Sequence, residues 1–339
     1  MRVLVIIGHP AHVHLFKHLV EHLTKKGNAV KVVARAKECT LNLLKAYGID
    51  YDPLDIHYNS IFGKALGLFL TDFGLYKIAK KFQPDILIGV SDPYIAHIGL
   101  IIGKPSINFV DTEHAKLQNM LAFPFNKAIC TPSCYVDNIG KKQISYTGYH
   151  ELAYLHPNHF KPNLNILKKV GLTKKDKFFI LRFVSWYAAH DFGEKGFDLE
   201  AKREIINLLR KKGRVIITSE SEVNKEFEKY RINIPPEKMH DLLSFADMYI
   251  GEGAKMASEA AVLGVPSIYV NTLRLGYLNE LENKYGLVHN FSNPKKAIEK
   301  VKELLGNKNL KKEWQKKRQK MLHDKIDVTK WMIDFIEKF

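Results

Sequence analysis

Two consecutive α/β domains, each a parallel sheet with helices on its faces, are the architecture this sequence predicts. The chain has 339 residues, about twice the ~150 of an ordinary domain. Short β-branched runs alternate with amphipathic stretches from end to end, as strand–helix–strand crossovers require. The alternation breaks at His156-Pro-Asn-His-Phe-Lys-Pro162, where turn-forming residues interrupt every periodicity. This places one domain at 1–156 and a second at 163–322.

The first half opens with Arg2–Ile7, a buried β-branched strand. Apolar positions at Val13, Phe16, Leu19, Val20 and Leu23 then follow a helical period that closes at Gly27. Ala29–Ala34 reads as a strand, Leu41–Tyr47 as a helix stopped by Gly48, and Ile61–Phe82 as a long helix stopped by Pro84. Glycine or proline just past a periodic stretch is what ends it. Asp85–Val90 is a strand, Pro93–Ile102 a helix, and Pro105–Val110, Lys127–Thr131 and Gln143–Thr147 are strands. In the second half Phe178–Val184, Arg214–Thr218, Met248–Ile250 and Pro266–Val270 are strands, separated by helices at Leu199–Lys211, Pro236–Phe245 and Ala254–Leu263. Helical patterns at Pro294–Leu305, Leu310–His323 and Val328–Phe339 finish the chain.

With 46% hydrophobic and 26% charged residues, each half has material for a core. No apolar run approaches the ~18 residues of a membrane-spanning helix. Met1-Arg2 leads straight into a strand, without the apolar region of a secretory signal, so a cytoplasmic protein is expected. Cys39, Cys130 and Cys134 lack the paired spacing of a zinc site and read as reduced thiols. No metal site is expected.

The net charge is +16, with much of the excess between Pro294 and Lys325. Glu299, Glu303 and Glu313 stand at spacings that pair with those lysines, which points to solvated helical faces. No nucleic-acid motif with interleaved aromatics accompanies the charge, so specific nucleic-acid binding is not expected. A peripheral contact with an anionic membrane at its inner face needs only charge and an apolar surface. Ile61–Phe82, with Phe62, Leu66, Phe69, Leu70 and Phe73, reads as a core helix between strands. Exposed instead, it would suit a lipid-linked acceptor.

Ligands of open parallel sheets bind beyond the carboxyl ends of the strands. The residues there are Gly8-His9-Pro10-Ala11-His12, Ser91-Asp92, Asp111-Thr112-Glu113-His114, Gly148-Tyr149-His150-Glu151, Ser185-Trp186-Tyr187, Ser219-Glu220, Gly251-Glu252-Gly253 and Asn271. The first of these loops is not GxGxxG, which removes the usual sign of dinucleotide chemistry. His12 stands near a helix start and suits a general base. His9 and His14 are rivals, while His14 and His18 share a helix face in the manner of exposed side chains.

The most informative stretch runs from Gly251 to Val270, GEGAKMASEAAVLGVPSIYV. It reads as a glycine-bracketed turn, a helix of small residues and a Gly-x-Pro exit into a strand. Gly251 and Gly253 allow close backbone approach. The first-turn amides of Ala254, Lys255 and Met256 offer a diphosphate site. Glu259 can accept two hydrogen bonds from a ribose diol, or it can simply face solvent. Ser258 in the same helix, and Ser185 beyond the first strand of this half, complete the candidate donor-binding set.

This stretch resembles the nucleotide-binding segment of GT-B enzymes, namely the lipid II-forming N-acetylglucosaminyltransferase and the non-hydrolysing UDP-N-acetylglucosamine 2-epimerases. A nearer likeness is to an uncharacterised, largely archaeal family of that superfamily, carried by GHPAHVH, FVDTEHA at Phe109–Ala115, GYHELAYL at Gly148–Leu155, LSFADMYIGEG at Leu243–Gly253 and EAAVLGVPSI at Glu259–Ile268. The resemblance implies two Rossmann-like parallel-sheet domains facing across a cleft, with a C-terminal helix, 327–339, returning to the first. It implies an acceptor side in the first domain and a donor side in the second, with Glu259 on the ribose and Gly253–Met256 on phosphate. His12 then corresponds to the histidine that starts the transferase's first helix. Asp92, with Asp111 or Glu113, stands where the epimerases use acidic residues, and Arg182 or His190 is set to meet diphosphate.

The leading expectation is transfer of a sugar from a nucleotide-sugar, a UDP-sugar favoured, to an unidentified acceptor. A helix N-terminus plus Arg182 or Lys255 would supply positive charge without a metal, and no cofactor is expected. The alternatives are a nucleotide-sugar epimerase using Asp92, Asp111 and Glu113, and a non-catalytic sugar- or polyanion-binding protein on the same scaffold.

Overall fold

A computed structural model describes residues 1–54, 61–183, 196–219 and 224–339, and of residues 61–66 and 68 the backbone alone. The chain forms two compact units, Met1–Tyr154 with Asp327–Phe339, and Leu155–Ile326.

The strands of unit 1 are β1 (Arg2–Ile7), β2 (Ala29–Ala34), β3 (Asp52–Pro53), β4 (Ile86–Val90), β5 (Ser106–Phe109), β6 (Ala128–Pro132) and β7 (Gln143–Tyr146). They make one seven-stranded sheet in the order β3-β2-β1-β4-β5-β6-β7, and every neighbouring pair is parallel. Winding reverses between β1 and β4, so the loops after these two strands diverge and leave a crevice. Val3–Ile7 of β1 is buried throughout, because an internal parallel strand has helices on both faces. Leu4, Ile6, Leu75, Leu87, Ile95 and Ile98 belong to one core cluster beside it.

The last helix, Val328–Ile336, is part of this unit. Thr329 Oγ1 donates to the Ala153 carbonyl at 2.6 Å. Trp331 lies 4.7 Å from the Tyr146 ring and meets Phe109 edge-on at 6.5 Å. Lys26 Nζ pairs with Glu337 at 2.7 Å.

Unit 2 has β8 (Phe178–Phe183), β9 (Arg214–Ser219), β10 (Met248–Gly251), β11 (Ser267–Val270) and β12 (Val288–Phe291). Their order is β12-β11-β10-β8-β9, again all parallel, with the reversal between β8 and β10. Helix Ala254–Val262 joins β10 to β11. Its carboxyl end is closed by the basic helix Leu310–Asp324: Arg318 Nε donates to Val262 O at 2.8 Å, and Gln315 Nε2 to Gly264 O at 3.1 Å. A basic side chain on the final carbonyls opposes the negative dipole end. Gly264 turns there at φ 75° with the Gln315 amide 2.6 Å from where a Cβ would sit. Part of the basic tract therefore serves the fold. Lys302 pairs with Glu204 at 3.0 Å, Lys311 with Asp247 at 3.1 Å, and Lys317 covers the Trp314 ring at 3.6 Å.

Three expectations need correction. His14 is not exposed: it is buried, stacked on Tyr154 at 5.3 Å, with its Nδ1 3.3 Å from Tyr47 Oη. Helix Ile61–Phe82 is not buried all round. Thr71, Leu75 and Ala79, at a four-residue spacing, face the core, which leaves Phe69 and Phe73 off that stripe, 71% and 54% exposed. The edge strands β3 and β12 were not foreseen, since β3 is two residues long and β12 reads Val-His-Asn-Phe. No helix among the described residues is long and apolar enough to cross a membrane.

Candidate functional site

In unit 2 the edge loop after β10 is tightly held. Gly251 pairs in register with Arg182 of β8, and Glu252 N donates to the Arg182 carbonyl at 3.1 Å. A Cβ at Gly251 would run into the Tyr249 hydroxyl and lie 2.8 Å from Arg182 O, so internal packing already requires this glycine. The Glu252 carboxylate accepts from Phe197 N at 2.6 Å, and Asn271 Nδ2 donates to the Glu252 carbonyl at 3.2 Å. Burial, offset in part by Arg182, pushes the Tyr249 phenol well above its usual range, and its hydroxyl donates to Gly253 O at 3.3 Å.

Gly253 is the N-cap of helix Ala254–Val262 and supplies no side-chain cap. Gly253, Ala254 and Lys255 are half-buried at the positive end of this helix, whereas Met256 is buried. Lys255 Nζ lies 5.6 Å from the Tyr277 ring centre. Ser258 is fully buried and donates to the Lys255 carbonyl at 2.8 Å. Glu259 does not face solvent. It is buried, and its Oε1 stands 3.0 Å from Nε2 of His240, an equally buried residue of helix Met239–Phe245. A buried carboxylate needs such a partner, and His240 itself meets the edge of Phe160 at 6.3 Å. Ser185 and His190 lie outside the described residues.

In unit 1 His12 follows β1 and Asp92 follows β4, one on each side of the reversal. His9 caps helix Pro10–Lys25 by accepting from Ala11 N at 3.2 Å. His12 Nδ1 accepts from Gly8 N at 3.3 Å. A neutral ring that accepts at Nδ1 carries its proton on Nε2, so His12 presents a donor here rather than a base. Asp92 is the N-cap of helix Pro93–Ile101, accepting from Ile95 N at 3.1 Å. Its backbone is clamped by Asn108, which accepts from Asp92 N at 2.8 Å and donates to Asp92 O at 2.9 Å. This clamp holds the preceding Ser91 at φ 44°, a left-handed conformation that is costly for a serine. Burial raises the Asp92 carboxyl to about 6, against the backbone bonds and Arg35, which lower it.

Farther along the same edge, Asp111 Oδ2 lies 2.9 Å from His150 Nδ1, both side chains buried. Asp111 Oδ1 accepts from Thr112 Oγ1 at 2.8 Å. Glu113 accepts from Val136 N at 3.3 Å. The residues singled out in the sequence stand at the carboxyl ends of strands, whereas His240 and the pairing of His150 were missed. Each partner sits on a distant segment, and helical periodicity cannot report such a contact.

The family described as "Protein of unknown function (DUF354)" matches residues 1–338. The chain belongs to that family. The uncharacterised protein MJ0665 of Methanocaldococcus jannaschii is 26% identical over 312 residues, covering 88% of this chain and 89% of its own length. The UDP-GlcNAc 2-epimerase from Neisseria meningitidis, solved bound to UDP-GlcNAc, matches with a TM-score of 0.69 at 16% identity over 100% of both chains. The spinosyn forosaminyltransferase SpnP matches with a TM-score of 0.69 at 12% identity, over 100% of this chain and 98% of that one. The fold is that of the GT-B enzymes.

Asp92 gives a pH-dependent prediction. Its carboxyl is raised from 3.8 to about 6, so the native state disfavours the charged form. The stability it contributes is full below about pH 4 and lost as pH rises through about 6. The loss is roughly 3 kcal/mol for a shift of about two units. Asparagine caps a helix as well as aspartate does. Urea unfolding should therefore find D92N equal to wild type near pH 4 and more stable by up to roughly 3 kcal/mol at pH 7.

Proposed function

We propose that this chain is a metal-independent glycosyltransferase that uses a nucleotide-sugar, with a UDP-sugar favoured, and that unit 2 binds the donor. The observation that carries this is the buried Glu259–His240 pair, on a helix whose amino end has no side-chain cap. Diphosphate suits first-turn amides at the positive end of a helix. A ribose diol suits a carboxylate held in place, and His240 holds Glu259. Arg182 and Lys255 stand on the same edge and would offset the charge that develops on the leaving diphosphate. The likeness to an epimerase solved with UDP-GlcNAc and to a forosaminyltransferase supports a donor of this kind.

On unit 1 we assign the acceptor, and a lipid-linked one has specific support. Phe69, Phe73, Leu100, Ile101, Leu117 and Met120 are all exposed, on three consecutive helices that His97 ties together. Its Nδ1 lies 3.0 Å from Asp72 and its Nε2 3.2 Å from the Leu121 carbonyl. Lys77 lies over the Phe73 ring at 4.3 Å, and Lys142 Nζ reaches the Pro124 carbonyl at 2.6 Å. An apolar face bordered by lysines fits the interface of an anionic membrane.

A second reading, epimerisation of the nucleotide-sugar, draws on Asp92, whose carboxyl at about 6 is in range for proton transfer near neutrality. Incubation with UDP-N-acetylglucosamine alone separates the two. A transferase leaves the sugar's configuration unchanged, while an epimerase converts it.

UDP should raise the melting temperature of the full chain, since it binds only the folded state. E259Q should weaken UDP binding about tenfold by calorimetry, a loss of about 1.4 kcal/mol; unchanged affinity would remove Glu259 from the donor site. Vesicles containing phosphatidylserine should sediment the protein at low salt and release it at high salt. Replacing Phe69 and Phe73 together with glutamate should abolish the sedimentation, and equal binding by that variant would reject the membrane face.

A further inference from the structure

We infer that unit 1 holds a hydroxyl-binding site built on the Asp111–His150 pair, in which His150 Nε2 accepts the hydrogen of a sugar or polyol hydroxyl. This rests on the reading of unit 1 as the acceptor side, and it supplies the base that His12, as hydrogen-bonded here, does not.

The pair fixes the chemistry of the ring. Nδ1 lies 2.9 Å from the Asp111 carboxylate, so in the neutral ring the proton sits on Nδ1 and the lone pair on Nε2. That Nε2 is buried and has no hydrogen-bond partner among the described residues. Two further buried atoms share this condition and feel the Asp111 charge, the hydroxyls of Tyr146 and Tyr135. Tyr146 ends β7, and its ring lies parallel to His150 at 6.5 Å. Burial and the Asp111 charge push the Tyr146 phenol well above its usual range, so it remains a donor. Nearly all buried polar groups in folded proteins are satisfied. Three unpaired ones around a single carboxylate, one an acceptor and two with a hydrogen to give, are the complement of a hydroxyl group, which both donates and accepts. The pair lies on the carboxyl edge of the sheet, following β5 and β7, where this architecture places its ligands.

In the transfer reaction the acceptor oxygen bonds to the anomeric carbon of the donor as its proton passes to His150 Nε2. The bond from that carbon to the diphosphate oxygen breaks, and its electron pair leaves with the nucleoside diphosphate. Asp111 stays ionised and stabilises the imidazolium, which then returns its proton to water.

The test uses the full chain with two probes: N-acetylglucosamine, followed by ligand-observed NMR titration, and UDP, followed by calorimetry. H150N keeps a donor toward Asp111 but removes the Nε2 position, and it should weaken N-acetylglucosamine at least tenfold. H150Q places an amide near Nε2 and should recover part of that loss. Y146F deletes an unpaired buried hydroxyl, so a merely structural role predicts equal or higher melting temperature with unchanged sugar affinity. The site predicts a severalfold loss of affinity at that same melting temperature, and Y146F decides the matter should H150N fail to fold. Sugar affinity retained in the folded variants, absent in wild type, or lost in E259Q instead overturns the proposal. UDP affinity should stay within about twofold of wild type in all three unit 1 variants. Failure of wild type to bind UDP would remove the donor reading, while the N-acetylglucosamine result would still stand or fall by itself.

Discussion

The twelve strands among the described residues all run parallel to their neighbours, and the placement of the candidate site residues follows from that. A parallel pair cannot be joined by a tight turn. The chain must leave the carboxyl end of one strand, cross the sheet as a helix and re-enter at the other end. Every strand-to-helix loop therefore opens on the same edge of its sheet, and most of the helices that begin there turn their positive ends toward it. Asp92 and the Asp111–His150 pair lie on that edge of one sheet, and Gly253 on that edge of the other. The crossovers also bury the central strands on both faces, which is why Val3–Ile7 and Met248–Gly251 carry no exposed residue.

Within this frame, polar side chains are used in two ways. Some hold the loops. Asn108 clamps Asp92, Glu252 ties down Phe197, and Arg318 closes the far end of helix Ala254–Val262. Others are kept buried in pairs, Glu259 with His240 and Asp111 with His150. The first group satisfies backbone that would otherwise be costly to bury. The second confines a carboxylate beside an imidazole, which fixes the orientation of both. Asn108 and Glu252 thus hold loops on the same edges as the two buried pairs, while Arg318 acts at the opposite end of its helix.

Much of the fold was legible in the sequence. Gly27 and Gly48 sit just past helices at φ 81° and 65°, conformations glycine adopts without strain, and so the stops were readable. Alternation of apolar runs located ten of the twelve strands among the described residues; β3 and β12 are too short or too polar to give a period. The candidate site was legible only to the level of loops. Glu259 gave no sign of burial, since a carboxylate in an alanine-rich helix is equally compatible with solvent, and its partner His240 belongs to another element. Gly251 looked like a ligand contact, yet the space for its Cβ is occupied by Tyr249 and Arg182. The apolar surface of helix Ile61–Phe82 was hidden for a related reason. Composition records that phenylalanines are present, and only packing decides which of them are covered.

Glu259 and the amino end of its helix are proposed as the nucleotide site. A crystal structure of the full chain soaked with UDP tests it most directly. Diphosphate oxygens should lie within hydrogen-bond distance of the amides of Ala254 to Met256, and both ribose hydroxyls should lie on the Glu259 carboxylate while His240 still holds it. UDP bound elsewhere, with Glu259 and that helix end untouched, would contradict it.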